Sequence, residues 1–255
     1  DLPRTKPGVA FLTSAILPGS GQALNGKWGR AAGYLAVDAV ALILHLDRTA
    51  SAQRQERAYE RFSNQNWSVV AYADWLVDYS QANNLNNRWQ ELEQDLNGAM
   101  PDWNNTTNDW NKVDLDILRS VEVRTPFIFE SGRIASEFSH NLPEYGSQQY
   151  YELISKYFQF QSGWQDFYNR DASGDNYRYL WNGQDLPNEL FFNGRDQAER
   201  FNDNYRAAGN FLSLLIVNHV VSAFDAFFTV RLKNYRLQAE ANLLRPDAYS
   251  ITFHF

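Results

Sequence analysis

Asp38, His219 and Asp225 are the ionisable residues that stand inside otherwise apolar stretches, and chemistry is sought there first. A carboxylate and an imidazole in such surroundings can relay a proton, or they can lock two helices together as a buried pair. Elsewhere suitable residue types occur without suitable spacing. His45, His140, His219 and His254 never fall at HExxH or comparable ligand spacing, so no metal site is assigned. The stretch Asp171–Asp175 resembles a calcium loop only faintly, with its glycine misplaced and the distal Glu absent, and reads as a polar turn. GxSxG, Walker and GxGxxG motifs are absent from the sequence, and Gly19-Ser20-Gly21 has neither a preceding strand nor a lysine partner. Asp114/Asp116 and Glu91/Glu93/Asp95 supply the carboxylate pairs that glycoside hydrolysis needs, but an acidic chain carries such pairs on solvated helix faces anyway. No catalytic, cofactor-binding or metal-ligating residue is assigned, and the chain is read as non-enzymatic with no cofactor.

Three apolar runs must position the ionisable residues. The first, Val9–Leu17, is closed by Pro18, Gly19 and Gly21, which stop a helix and turn the chain toward Gln22. The second, Ala31–Leu46, has 16 residues, roughly 24 Å of helix against a hydrocarbon core of ~30 Å, and Lys27–Arg30 extends it as a snorkelling lip. The third, Ala207–Phe228, is long enough at 22 residues but contains Asn210, Asn218, His219 and Asp225. Tyr34, Asp38, Ala41 and His45 follow 4-3-4 spacing, and so do Asn218, Ser222, Asp225 and Thr229. Each helix is therefore apolar over most of its circumference with one narrow polar seam. An ionised carboxylate is very costly in hydrocarbon, so the two seams are expected to face each other.

The whole chain has 255 residues and a net charge of −7, too acidic for nucleic acid as the main partner and too apolar for disorder. It has no Cys, which removes disulfides, thiolate metal sites and cysteine nucleophiles together. Acid concentrates between residues 67 and 190, at net −11, whereas 1–66 is net +3 and 191–255 net +1. That middle segment is rich in Asn and aromatics. Helical periodicity marks 68–80, 88–96, 131–138 and 148–158, and 167–193 reads as loop-rich. Trp89, Trp103, Trp110 and Trp164 are candidate partner contacts or sugar-stacking platforms. Alternation over 249–255 predicts a short strand whose Phe253 and Phe255 could pair with another chain.

Three stretches resemble a known family. Residues 10–22 (AFLTSAILPGSGQ) with Asn25-Gly26-Lys27, residues 150–164 (YYELISKYFQFQSGW) and residues 218–226 (NHVVSAFDA) are similar to motifs of a Bacteroidota-type family of exported proteins described as a domain of unknown function. Ser155 stands where that family usually has glycine, and Leu24 where it commonly has Tyr. The resemblance implies an exported, membrane-associated envelope protein and carries over no catalytic residues. The opening Asp1-Leu2-Pro3-Arg4 is read as consistent with a mature terminus.

The sequence thus predicts a mainly α protein. Apolar helices near 27–62 and 196–236 pack through polar seams, beside a shorter hairpin arm at 7–22. An acidic helix-and-loop periplasmic cap spans 67–190, flanked by segments 1–66 and 191–255 within one integrated domain. The expected role is a structural or accessory subunit of a cell-envelope assembly, with other envelope proteins and membrane lipid as partners. The alternatives are a soluble exported glycan-binding module and an enzyme with paired carboxylates.

Overall fold

The computed structural model describes residues 6–129, 132–172 and 188–243. The expected strand at 249–255, with Phe253 and Phe255, and the polar turn at 171–175 fall outside the described side chains. The protein is mainly α-helical, with one two-stranded antiparallel sheet. Helices α1 (Pro7–Ile16) and α2 (Ser20–Leu24) precede the long α3 (Trp28–Asn66). Then come α4 (Val69–Ala82), α5 (Trp89–Leu96), α6 (Leu115–Glu122), strands β1 (Pro126–Ile128) and β2 (Ile134–Glu137), α7 (Gln148–Ile154), α8 (Gln165–Ala172) and the long α9 (Glu189–Leu243). The chain divides into two compact units, 1–51 with 203–255 and 52–202, so α3 and α9 each contribute to both.

The second unit is built around α4, whose residues are buried on nearly every side. A helix apolar all round belongs in a core. Ser68 starts it by accepting the Ala71 N–H at 3.1 Å, and its own hydroxyl is held by Asp109 at 2.6 Å. Around α4 the core is aromatic. Trp67 pairs with Trp164 as an isolated bridge, and their indole N–H groups donate to the Phe160 and Ile154 carbonyls at 2.9 and 3.0 Å. A Cβ at Gly163 would lie 2.3 Å from the Trp67 ring, so only glycine permits this approach.

Two expectations need correction here. The segment expected as a helix at 131–138 instead contributes β2, paired with β1 from Ile128↔Ile134 to Pro126↔Glu137. Gly132, at φ +77°, sits beside the connection, and eight residues are too few for periodicity to separate helix from strand. The loop-rich reading of 167–193 is replaced at its ends by α8 and the start of α9.

The first unit holds α1, α2, the start of α3 and the C-terminal part of α9. Two helices of the chain are long and apolar enough to cross a membrane, Trp28–Asn66 and the stretch Glu189–Leu237. Only 11% and 22% of their most apolar stretches are buried, whereas the core helix of a soluble protein would be mostly covered. Exposed large apolar side chains concentrate in this unit, among them Leu12, Ile16, Leu35, Ile43, Ile216 and Phe228.

Candidate functional site: a polar seam in the apolar unit

In the first unit α3 and α9 run antiparallel, as their polar contacts show. Arg30 reaches Asp225 at 3.0 Å, Asn218 donates to the Tyr34 carbonyl at 3.0 Å, and His45 Nδ1 meets the Ala208 carbonyl at 2.9 Å. Arg48 reaches Asn204 at 3.3 Å. Numbers rise along α3 as they fall along α9. Asp38 lies near the centre of its apolar run, with about 12 Å of helix to Arg30 and about 15 Å to Arg48. There His219 Nε2 lies 3.1 Å from Asp38 Oδ1, and Asn218 approaches the same oxygen at 3.4 Å.

The turn residues Pro18, Gly19, Gly21 and Gln22 join this seam. The Gly19 N–H donates to Ser222 Oγ at 2.8 Å, and the Gly21 N–H to Ser14 Oγ at 2.8 Å. Ser14 donates in turn to Gln22 Oε1 at 3.0 Å. Gln22 Nε2 donates to the Ser222 carbonyl and to Asp225 Oδ2, both at 2.9 Å. The Leu17 and Ser20 N–H groups are taken by the Thr13 and Leu17 carbonyls. Every N–H from Leu17 to Gly21 therefore has an acceptor, Pro18 having none to offer. Irregular backbone among apolar side chains is tolerated when its polar groups are satisfied in this way.

Both glycines are required by packing. A Cβ on Gly19, whose φ is +89°, would sit 2.5 Å from the Ala31 carbonyl oxygen. One on Gly21 would sit 2.5 Å from the Ala10 oxygen and 2.8 Å from Ala226 Cβ. The path of the arm follows from its partners on α9. Phe11 packs on Phe224, Ala15 meets His219, and Gly19 then Gln22 meet Ser222 then Asp225. The arm descends along α9 to His219, reverses at Pro18, and climbs back toward the start of α3.

The seam residues proposed from spacing, Tyr34, Asp38, His45, Asn218, Ser222 and Asp225 with His219, thus all carry contacts of this unit. The spacing argument omitted Ser14 and the Ala15 carbonyl. Neither carries a charge or a period that would mark it.

The tryptophans stand differently. Trp164 is fully buried, and it is neither a surface contact nor a sugar platform. Trp110 stacks on Trp67 with ring centres 6.0 Å apart, and Trp89 packs against the same core. Trp103 is half-buried, with Tyr168 at 5.9 Å. Among the described tryptophans Trp28 alone is exposed, at 70%, beside Lys27 and Arg30 at the end of the apolar run. A chain this rich in aromatics used them to build a core, because ring burial dominates core energetics.

Two buried carboxylates of the second unit escaped the sequence reading. Asp109 accepts from Ser68, from the Asp102 N–H and from Lys112 at 2.7 Å. Glu122 accepts from the Tyr72 hydroxyl at 2.7 Å and from the Leu142 N–H at 2.9 Å. Desolvation pushes its carboxyl up to about 7 despite those bonds. The same unit holds a cleft of about 710 Å³ between α3, α7 and α9, lined by Glu56, Glu60, Tyr59, Tyr151, Glu199 and Arg195 among others. Burial, and secondarily Glu56, raises the Glu60 carboxyl above its usual range. Tyr59 at its floor is bonded to the Tyr151 carbonyl at 2.5 Å and to Ser155 at 2.7 Å, and desolvation lifts its phenol to about 12.

Fold and site together define a mainly α protein with two helices capable of crossing a membrane and a polar seam between them. Comparison of the chain with protein-family models, with curated proteins and with solved structures finds no match.

Proposed function

We propose that the chain is a non-catalytic, membrane-embedded structural or accessory subunit of a bacterial envelope assembly. In this reading α3 and α9 cross the bilayer, the α1–α2 arm enters to mid-depth and returns, and the aromatic-cored second unit lies outside lipid as the periplasmic cap. The observation that carries it is the inversion of polarity in the first unit. Its apolar side chains face outward, while Ser14, Gln22, Asp38, Asn218, Ser222 and Asp225 bond to one another or to backbone. Water would favour the opposite arrangement, and hydrocarbon favours this one. Trp28 beside Lys27 and Arg30 suits the headgroup layer at one end. The envelope setting rests on the motif resemblance. Carbonate washing followed by flotation tests the reading: the chain is expected to float with lipid, and recovery in the wash would overturn it. Co-purification from native membranes, with identification of stoichiometric partners, tests the assembly role.

A glycan-binding reading is favoured by one observation, the Glu60 cleft with Tyr59, Tyr151 and Phe201 in its lining. It predicts oligosaccharide-dependent chemical shifts in these residues that Glu60→Gln weakens.

A further inference from the structure

Within the first unit α1 and α9 enclose an apolar groove of about 680 Å³, walled by Val9, Leu12, Phe224, Phe227 and Phe228. Val9, Leu12, Phe224 and Phe228 are exposed, so the groove opens to the outside of the unit. Lys6, immediately before α1, is the single charged side chain among the described residues that line it. The two helices run in opposite directions here, with Phe11 on Phe224 at 5.3 Å between ring centres and Ala15 on His219. Five residues before Phe11, Lys6 stands roughly 7.5 Å along that axis, at the Phe228 end of the groove. Arg30 reaches Asp225 and Thr229 of α9, which puts it at the same level. The charged end of the groove therefore lies with Lys27, Trp28 and Arg30, and its apolar length runs from there toward the middle of the helices.

We infer that this groove binds one phospholipid with an anionic headgroup, its phosphate on Lys6 and one acyl chain lying between α1 and α9. Such a site presupposes the membrane reading of the first unit and adds to it the chemistry of one lipid. Beyond Lys6 the lining holds no polar side chain, so an occupant with polar groups at that depth would lose their hydrogen bonds. An alkyl chain has none to lose. At the other end two features attract an anion. One is the Lys6 ammonium. The other is the start of α1, which has no side-chain cap and no acidic residue in its first turn to complement its dipole.

The surrounding charges select the headgroup. No carboxylate stands among the described lining residues, and Asp225, at the same level on α9, is already engaged by Arg30 and Gln22. A choline group would find no counter-charge there, whereas a headgroup of net negative charge meets Lys6 with Lys27 and Arg30 at the same end. Gly8 also lines the groove, and a Cβ on it would meet nothing within 4 Å, so the space beside it is open to a chain. A larger side chain at that position fills the groove without driving into the backbone.

Native mass spectrometry tests this on the full chain released from nanodiscs of phosphatidylglycerol and phosphatidylcholine in equal parts. The native chain should retain one lipid and prefer phosphatidylglycerol about fivefold, the worth of one basic side chain at an anionic membrane surface. Lys6→Gln, at an exposed position, should bring the two lipids to parity, and Lys6→Arg should keep the preference. Gly8→Leu should lower retention of both lipids. Lys233→Gln removes an exposed charge of α9 outside the groove and should leave the preference unchanged. Equal retention of the two lipids by the native chain would overturn the site. So would a Lys233→Gln chain that loses as much preference as Lys6→Gln, because the attraction would then be general surface charge. A dimer in place of the lipid-bound monomer would show that a second copy fills the groove. Flotation of the same chains separates the two levels: a chain that floats yet retains both lipids equally overturns the lipid site alone. One that does not float overturns the membrane reading and the site with it.

Discussion

The Gln22 side-chain amide and the Asp225 carboxylate meet at 2.9 Å although 203 residues separate them in the chain. The other oxygen of Asp225 takes Arg30 at 3.0 Å, so one carboxylate ties α2 and the start of α3 to α9. Asp225→Leu removes one of the two acceptors of the buried Gln22 amide nitrogen, a loss worth about 1–3 kcal/mol. The Arg30 contribution is small, because its guanidinium is mostly exposed. The variant should therefore melt several degrees lower in detergent, as followed by circular dichroism, and Asp225→Asn should fall between it and the native chain. An unchanged melting temperature for Asp225→Leu would remove the seam's mechanical role.

Two glycine substitutions on neighbouring apolar helices should behave oppositely. Gly21→Ala drives a methyl against the Ala10 oxygen and Ala226, and overpacking of this kind costs roughly 1–3 kcal/mol. Gly33→Ala on α3 meets nothing within 4 Å and replaces a poor helix former, so it should leave stability unchanged or raise it by about 1 kcal/mol. Thermal melts of the two variants in one detergent make the comparison. Equal destabilisation would mean that the arm does not lie where the structure places it.

The seam was legible in sequence because both of its long helices repeat polar residues at 4-3-4, a period that survives whatever the helix packs against. The docking of the arm was not. Gly19 and Gln22 meet Ser222 across 203 and 200 residues, Ser14 joins them only through Gln22, and small neutral residues leave no periodic mark. Trp164 shows the reverse failure. Its aromatic ring has the same identity on a surface as in a core, and its burial depends on Gly194, whose Cβ position lies 2.9 Å from the indole. Glu122 was hidden for a third reason. It ends a short helix in an acidic segment, where most carboxylates are solvated, and only the folded chain brings Tyr72 and Leu142 to its two oxygens.

If the tryptophans build the core, they cannot also serve as platforms. Soluble oligosaccharides should leave the emission of Trp89, Trp103, Trp110 and Trp164 unshifted. Brominated lipid should instead quench a component that disappears in Trp28→Phe. Quenching that persists undiminished in that variant would show that Trp28 does not face lipid.

Glu122 makes the stability of the second unit depend on pH, with a sign that follows from its shift. Its carboxyl titrates near 4.5 when exposed and at about 7 in the folded protein. Between those values the folded chain holds a proton that the unfolded chain has released, so stability falls as pH rises through the window. The contribution is fully present below about 4.5 and fully lost above about 7, an order of 3 kcal/mol in all. Glu122→Gln keeps the shape of the side chain, can accept the Leu142 N–H with its carbonyl and can donate to the Tyr72 oxygen, with no charge to desolvate. Urea midpoints followed by tryptophan emission should decline from about pH 5 to about pH 7 in the native chain. They should stay flatter in Glu122→Gln, which becomes the more stable of the two at about pH 8. Native and variant midpoints that fall in parallel would show that another group carries the dependence.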